Sequence, residues 1–346
     1  MAIPIRNIYY LLCYAWDKLE QKDRVKVDMD EQTQLVDLFA QILISGTEVL
    51  LKRGIEKNYV SETVELAGVK GKLDLGATIK AGTHQRLHTI CTVDEFSSNV
   101  LINQILVSTL HSLRRTKELD KKLGEKLTRL IRRLPPIEAL DLRRQHFAQV
   151  RLHRNNQFYG FLLSVCEMLY EHSLPTENPG ERYFVDFTRD EQKMNQLFEA
   201  FLRNFYKREF PHWQVRGQHI KWQFQSLDEQ HRLFLPRMET DITIQAGEMK
   251  LIIDAKYYQK TMRTHYGGEK VYSQHLYQLF SYLMNQRGTE PATYTTKGML
   301  VYPTVSKEHD LAYRYEEHDI FIKTVNLNAH WATIEHRLKE IVLSLC

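Results

Sequence analysis

Apolar residues recur at helical spacing in two early stretches, residues 7–19 and 33–53, and Gly54 supplies a stop for the second. Between residues 59 and 93 the pattern changes to alternation. Segments 59–66, 68–79 and 86–93 carry β-branched residues between polar ones and read as strands. Helical periodicity returns over 99–115, 119–134 and 158–172, with Pro135-Pro136 closing the middle one. The next nine residues, 173–181, hold two prolines and a glycine, and read as a linker. Beyond them the pattern predicts a long helix over 191–210 and strands at 213–225, 233–245 and 249–258. A helix at 273–286, strands at 298–302 and 320–326 and a closing helix at 330–345 complete it.

This order predicts two domains, as does a length of 346 residues against roughly 150 per domain. The first, residues 1–172, is expected to be α+β, helices with a β-rich insertion at about 57–95; a linker at 173–182 leads to an α/β domain with a mixed central sheet at 183–346.

Composition narrows the function classes. With 43% hydrophobic and 26% charged residues, the chain has the apolar content of a packed protein and not of a disordered tail. Lys and Arg number 47 against 43 acids, a net charge of +4, so any contact with nucleic acid must come from local clusters. Arg114-Arg115, Lys121-Lys122, Arg132-Arg133 and Arg143-Arg144 are such clusters; they fit phosphate tracking and solvated helix faces equally well. The four cysteines are far apart and lack metal-ligand spacing, so neither zinc nor a disulfide framework is indicated and a reducing, cytoplasmic setting is expected. The histidine pairs His212/His219 and His309/His318 also lack a third ligand at suitable spacing. No apolar run approaches the ~18 residues of a membrane span. The Tyr-rich opening through Trp16 has no small-residue cleavage site and reads as an amphipathic helix rather than a signal peptide. Gly267-Gly268 is not followed by a Walker lysine and hydroxyl, so the chain is expected to bind no nucleotide of its own.

The candidate chemistry lies between Pro236 and Lys256. Ile242, Ile244, Leu251 and Ile253 are strand residues, and 245–249 reads as a hairpin turn. Asp254 and Lys256, two apart on one strand, project from the same face, and the hairpin can fold Asp241 back beside Asp254. Two carboxylates on neighbouring strands repel unless a divalent cation lies between them; oxygen ligands favour Mg²⁺ or Mn²⁺, with the Ala255 carbonyl as a further ligand. A lysine there can orient a water or stabilise charge on a phosphate. Asp-x-Lys alone is common by chance and is usually a solvated strand face. Here Ile252-Ile253 before it and Tyr257-Tyr258 after it make the strand largely buried, and charges in such a strand need a reason.

Asp241, then Asp254-x-Lys256, then Gln278-x-x-x-Tyr282 resembles the PD-(D/E)xK nuclease superfamily, closest to its RecB-like branch. The whole chain is similar to the McrC family, nuclease subunits of McrBC modification-dependent restriction systems. The opening Ile3-Pro-Ile-Arg-Asn-Ile-Tyr-Tyr, Gly68-Val-Lys-Gly-Lys72, residues 235–244, Ile253-Asp-Ala-Lys-Tyr-Tyr258 and residues 274–279 carry that similarity. One departure is Thr240, where the superfamily has proline before the first carboxylate. The resemblance implies a restriction-endonuclease-like fold for the second domain, with Asp241, Asp254 and Lys256 catalytic and Asp241, Asp254 and Ala255 holding Mg²⁺. Gln278 and Tyr282, four residues apart on one helix face, would brace the site or touch the DNA backbone. Glu199 falls on the helix where many members carry a supporting glutamate, and fits an exposed acid as well. The resemblance further implies cleavage of double-stranded DNA containing modified cytosine, in complex with an McrB-like AAA+ GTPase ring that the amino-terminal region docks into and stimulates. Lys70 and Lys72, in a turn, are the expected contact with acidic groups of that ring; a solvated turn is the other reading. The competing class is a non-catalytic adaptor that only activates a motor, against which the intact Asp…Asp-x-Lys speaks.

Overall fold

The computed structural model describes residues 3–18, 33–176, 181–225, 228–257, 263–265, 268–286, 295–305 and 308–345. These divide into two compact units. Residues 34–185 form one, and the chain from Asp186 onward forms the other together with the first helix, α1 (Ile5–Ala15). The boundary thus falls just beyond the expected linker, but residues 1–172 are not one domain. Its opening helix is part of the carboxy-terminal unit.

The reason lies in what α1 buries. Ile8, Leu11, Leu12, Cys13 and Tyr14 are all inaccessible, and the helix packs along α8 (Glu191–Glu209). Tyr10 stacks on Trp331 at 4.4 Å between ring centroids, and Tyr14 meets Phe201 and Phe205 at 5.7 and 5.2 Å. Asn7 Nδ2 donates to the carbonyls of Leu327 and Ala329 at 2.8 and 2.9 Å, and Asn204 Nδ2 closes the other end of α1 on the Tyr14 and Ala15 carbonyls.

The unit of residues 34–185 is built on α2 (Leu35–Arg53), α4 (Leu101–Arg114), α5 (Lys121–Ile131) and α7 (Gln157–His172). Their apolar stripes meet around Phe39, Leu43, Leu106, Leu127 and Phe161, as the periodicity predicts. The β-rich insertion is a three-stranded antiparallel sheet of β1 (Asn58–Ala67), β2 (Lys72–Leu73) and β3 (His88–Ser97). The strand expected over 68–79 is a correction. After two strand residues, Asp74 caps a short helix, α3 (Leu75–Lys80), by accepting the Ala77 N–H at 2.9 Å. Helix α6 (Arg144–Gln149) has no buried residue, hence no periodicity to reveal it. The described ends of the expected linker are not free coil: β4 (Ser173–Pro175) pairs antiparallel with β5 (Arg182–Phe184); residues 177–180 lie outside the described set.

In the other unit β6 (Gln214–Arg216), β9 (Ile242–Ala246), β10 (Met249–Ala255), β13 (Thr295–Thr304), β14 (Asp310–Tyr315) and β15 (His318–Asn326) form a mixed six-stranded sheet in the order β14-β15-β13-β10-β9-β6. Strands β10, β13 and β15 are parallel neighbours and the remaining pairings are antiparallel. The segments expected as long strands at 213–225 and 233–245 are shorter and split. Beyond β6, a separate pair joins β7 (His219–Ile220) to β8 (Met238–Glu239). A second small pair is β11 (Arg263–His265) with β12 (Gly268–Lys270). Edge strand β14 was not expected; nearly all its positions are exposed, so it carries no alternation.

Helix α9 (Ser273–Met284) crosses from β10 to β13, as a parallel pair requires. Its Leu279, Tyr282 and Leu283 pack on Ile252, Leu300 and Ile322. Gly298 permits the approach: a Cβ there would meet Leu283 Cδ1 at 2.9 Å and Leu279 at 3.2 Å. The last helix, α10 (Trp331–Leu343), packs on β15.

Candidate active site

Hairpin register builds the centre of the site. Ile242 on β9 pairs with Ile253 on β10, with Gly247 at φ +57° making the turn between the strands. One step past that pair Asp241 leaves the ladder, and its Oδ2 accepts the Ala255 N–H at 2.9 Å. Asp254 lies on the same side of β10 as Ile252, and that side carries α9. Lys256 follows at the strand's end, its N–H bonded to the Val301 carbonyl. The Lys256 ammonium lies 2.9 Å from Asp254 Oδ1 and 3.6 Å from Asp241 Oδ2. The structure thus brings together the three residues singled out in the sequence.

Asp254 is fully buried, and its Oδ2 has no hydrogen-bond partner. Burial pushes its carboxyl well above the ordinary carboxylate range; Lys256 opposes that and Asp241 reinforces it. Burial alone would lower Lys256, but Asp254 and Asp241 outweigh it and the ammonium is held more tightly protonated. Two carboxylates thus face one ammonium, and the buried one keeps an orphaned oxygen, a costly arrangement in the absence of a further cation.

The surrounding residues hold this geometry. Tyr282 OH donates to the Glu239 carbonyl at 2.8 Å, and Gln278 Nε2 donates to Tyr282 OH at 2.7 Å. Tyr282 is buried, and its hydroxyl is pushed up to about 12, by burial first and also by Asp254 and Asp241, so it lies on the acid side of the sheet. Thr240 anchors the residue before Asp241: its N–H donates to the Gln218 carbonyl at 3.0 Å, a bond proline could not make, and its Oγ1 accepts the Gln218 N–H at 2.9 Å. Glu199 is half-buried on α8 and paired with Arg203, whose Nε donates to the Asp241 carbonyl at 3.0 Å. Burial and then Asp241 raise the Glu199 carboxyl, which sets it beside the site and not on an open helix face.

Three supporting residues escaped the sequence reading. Arg203 ties α8 to Asp241; its signal was the i, i+4 spacing from Glu199. Asn195 Oδ1 accepts the Tyr257 N–H at 2.8 Å just past the lysine. His275, buried on α9, is hydrogen-bonded with Tyr302 OH at 2.8 Å. Neither of these two has a local sequence signal. Tyr258 of the quoted motif lies outside the described residues. In the other unit Lys70 stands exposed in the turn and Lys72 opens β2. Among the described residues no helix is long and apolar enough to cross a membrane, and no three His, Cys, Asp or Glu side chains cluster as a ready metal cage.

The family model for the McrBC 5-methylcytosine restriction system component matches residues 6–303. The type IV methyl-directed restriction enzyme EcoKMcrBC of Escherichia coli (strain K12) is 35% identical over 340 residues, 98% of this chain and 97% of that protein. Among solved structures, a half-complex of Thermococcus gammatolerans McrB AAA+ hexamers with bound McrC superposes with a TM-score of 0.59 at 18% identity, covering 99% of this chain and 76% of that one. The chain belongs to the McrBC 5-methylcytosine restriction system component family.

Proposed function

We propose that this chain is the Mg²⁺-dependent endonuclease subunit of a restriction complex that cuts double-stranded DNA containing modified cytosine, and that its sheet is of the PD-(D/E)xK type. The observation that carries the reading is the convergence of Asp241, Asp254 and Lys256 at the open end of one hairpin. The donor set fits Mg²⁺. Two carboxylates, one with an unpartnered buried oxygen, and the Ala255 carbonyl are hard oxygen ligands, and Mg²⁺ keeps several waters rather than demanding an all-protein cage. When bound, the metal would polarise a phosphate and lower the pKa of a water. Asp241 and Asp254 would hold it. Lys256, kept protonated by the acids, would place a positive charge where negative charge grows on the scissile phosphate. Gln278, Tyr282, Glu199 and Arg203 keep those groups in position.

The partner in this reading is an McrB-like AAA+ GTPase ring, and the β-rich insertion is the docking element. Tyr59, Val69, Leu75, Ile79, Leu87 and Phe96 are all more than half exposed there, more large apolar surface than a free solvent-facing sheet needs. Gly71, at φ +73°, lets the turn that carries Lys70 lie against β3, where a Cβ would come within 2.4 Å of the Thr92 carbonyl oxygen. The two lysines would then face acidic groups of the ring.

The test is a cleavage assay on methylated and unmethylated duplex, with the GTPase partner and Mg²⁺ each present and omitted. Cutting is expected only when methylated DNA, partner and Mg²⁺ are all present. Cutting that persists in EDTA would overturn the metal assignment, and no cutting under any condition would overturn the nuclease reading.

A further inference from the structure

We propose that the solvent face of α5 is a second duplex-DNA contact surface, in the unit that lacks the acidic site. Choosing DNA as the occupant rests on the nuclease reading above. Residues 114–154 contain 13 Lys and Arg against 5 Asp and Glu, whereas the chain as a whole has 47 against 43, so the remainder is net acidic. The charge is therefore concentrated, and local concentration is what phosphate binding requires of a chain with so small a net charge.

Helix α5 focuses it. Leu123, Leu127 and Leu130 turn inward. At about 100° per residue, Lys121, Lys122, Lys126, Arg129, Arg132 and Arg133 fan over an arc of roughly 140° facing solvent, and all six are exposed. Glu125 is the acid within that arc. Two open grooves border it, of about 440 and 720 Å³, and Arg129 lines both. Arg114 and Lys121 extend the surface on one side and Lys126 and Arg133 on the other. Few local acids offset this charge. Asp120 is turned to the backbone as the helix cap and Glu118 accepts the Phe184 N–H. Glu48 stands 4.0 Å from Arg133 with both side chains about half exposed, which makes a weak pair. From Lys122 to Arg133 the face runs about 16 Å at 1.5 Å per residue, the length of about five base pairs of duplex at 3.4 Å each. A strip of exposed, flexible cations at this density matches the evenly spaced charge of a DNA backbone.

Duplex binding by the full-length chain, measured by fluorescence anisotropy in EDTA over a series of KCl concentrations, tests this without cleavage. The variant Lys126→Gln/Arg129→Gln/Arg133→Gln keeps good helix formers at exposed positions. Each lost phosphate contact lowers the slope of log K against log salt by about 0.9, so the triple variant should bind more weakly with a slope lower by about 2 to 3. A control at exposed basic positions outside the stretch, Lys52→Gln/Arg53→Gln/Lys207→Gln, should change it much less. Equal slopes for wild type and triple variant, or no duplex binding by the wild type, overturn the proposal. So does unchanged DNA binding with lost assembly on the GTPase ring, which would mark the face as a protein contact. A slope change in a chain that cuts nothing would sustain this surface while the nuclease reading fails.

Discussion

Tyr282 shows how a single hydroxyl ties the site to the fold. It donates to the Glu239 carbonyl two residues before Asp241 and accepts from Gln278. Tyr282→Phe removes both bonds but keeps the ring in the core, so cleavage should drop by about tenfold, less than on losing Asp254, with little change in stability. Cleavage at the wild-type level in single-turnover assays would deny Tyr282 a positioning role. His275 makes a prediction of the opposite kind, on stability. Burial, and then Lys256, push its imidazole down to about 4. The unfolded chain takes up that proton near 6.5 and the folded chain resists it to about 4. The contribution of a neutral His275 is therefore complete above 6.5 and is lost as pH falls from 6.5 toward 4. His275→Gln should lose less stability than wild type in urea melts compared at pH 7 and pH 5; identical losses would contradict the assignment. Asp241, Asp254 and Lys256 were legible in the sequence because strand alternation and a Gly-containing turn fix which residues share a face. Asn195 was not, since only the packing of α8 against the hairpin brings it there, and the spacing of Arg203 from Glu199 could pair the two without placing either at Asp241.

At the scale of elements, the position of α9 is set by a missing side chain. Gly298 on β13 lies under Leu279 and Leu283, and the resulting close contact holds Tyr282 over the hairpin. Gly298→Val should destabilise the protein by about 1–3 kcal/mol and lower cleavage by displacing α9. A thermal melt unchanged from wild type would show that the helix can shift freely. Elements with a buried face were readable as sequence periodicity: α2, α4, α7, α8 and β10 fall within a few residues of expectation, and β9 ends where expected although it begins nine residues later. Those without one were not. Helix α6 buries nothing and β14 is almost wholly exposed. Segment 68–79 failed for another reason, since apolar residues of a short, half-exposed helix alternate much like those of a strand.

For the whole molecule, chain order and spatial order differ. Helix α1 opens the sequence, but its apolar face is covered by α8 and α10 aromatics far along the chain. No local pattern could say so, because an amphipathic stripe does not name its partner. A fragment of residues 183–346 would expose Phe201, Phe205 and Trp331 in place of that contact, losing the burial of several large apolar side chains at roughly 1.5–3 kcal/mol each. It should aggregate or melt well below the full chain, whereas residues 1–18 joined through a flexible linker to 186–346 should restore cooperative unfolding. A stable, cooperatively melting 183–346 fragment would show α1 to be dispensable.

The most direct test of the central claim is cleavage of methylated duplex by the assembled complex carrying Asp254→Asn. The substitution preserves shape and removes the charge of the buried carboxylate. The account predicts that cutting falls by about a hundredfold or more while stimulation of the partner's GTPase stays at the wild-type level. Cleavage at the wild-type rate by this variant would contradict it.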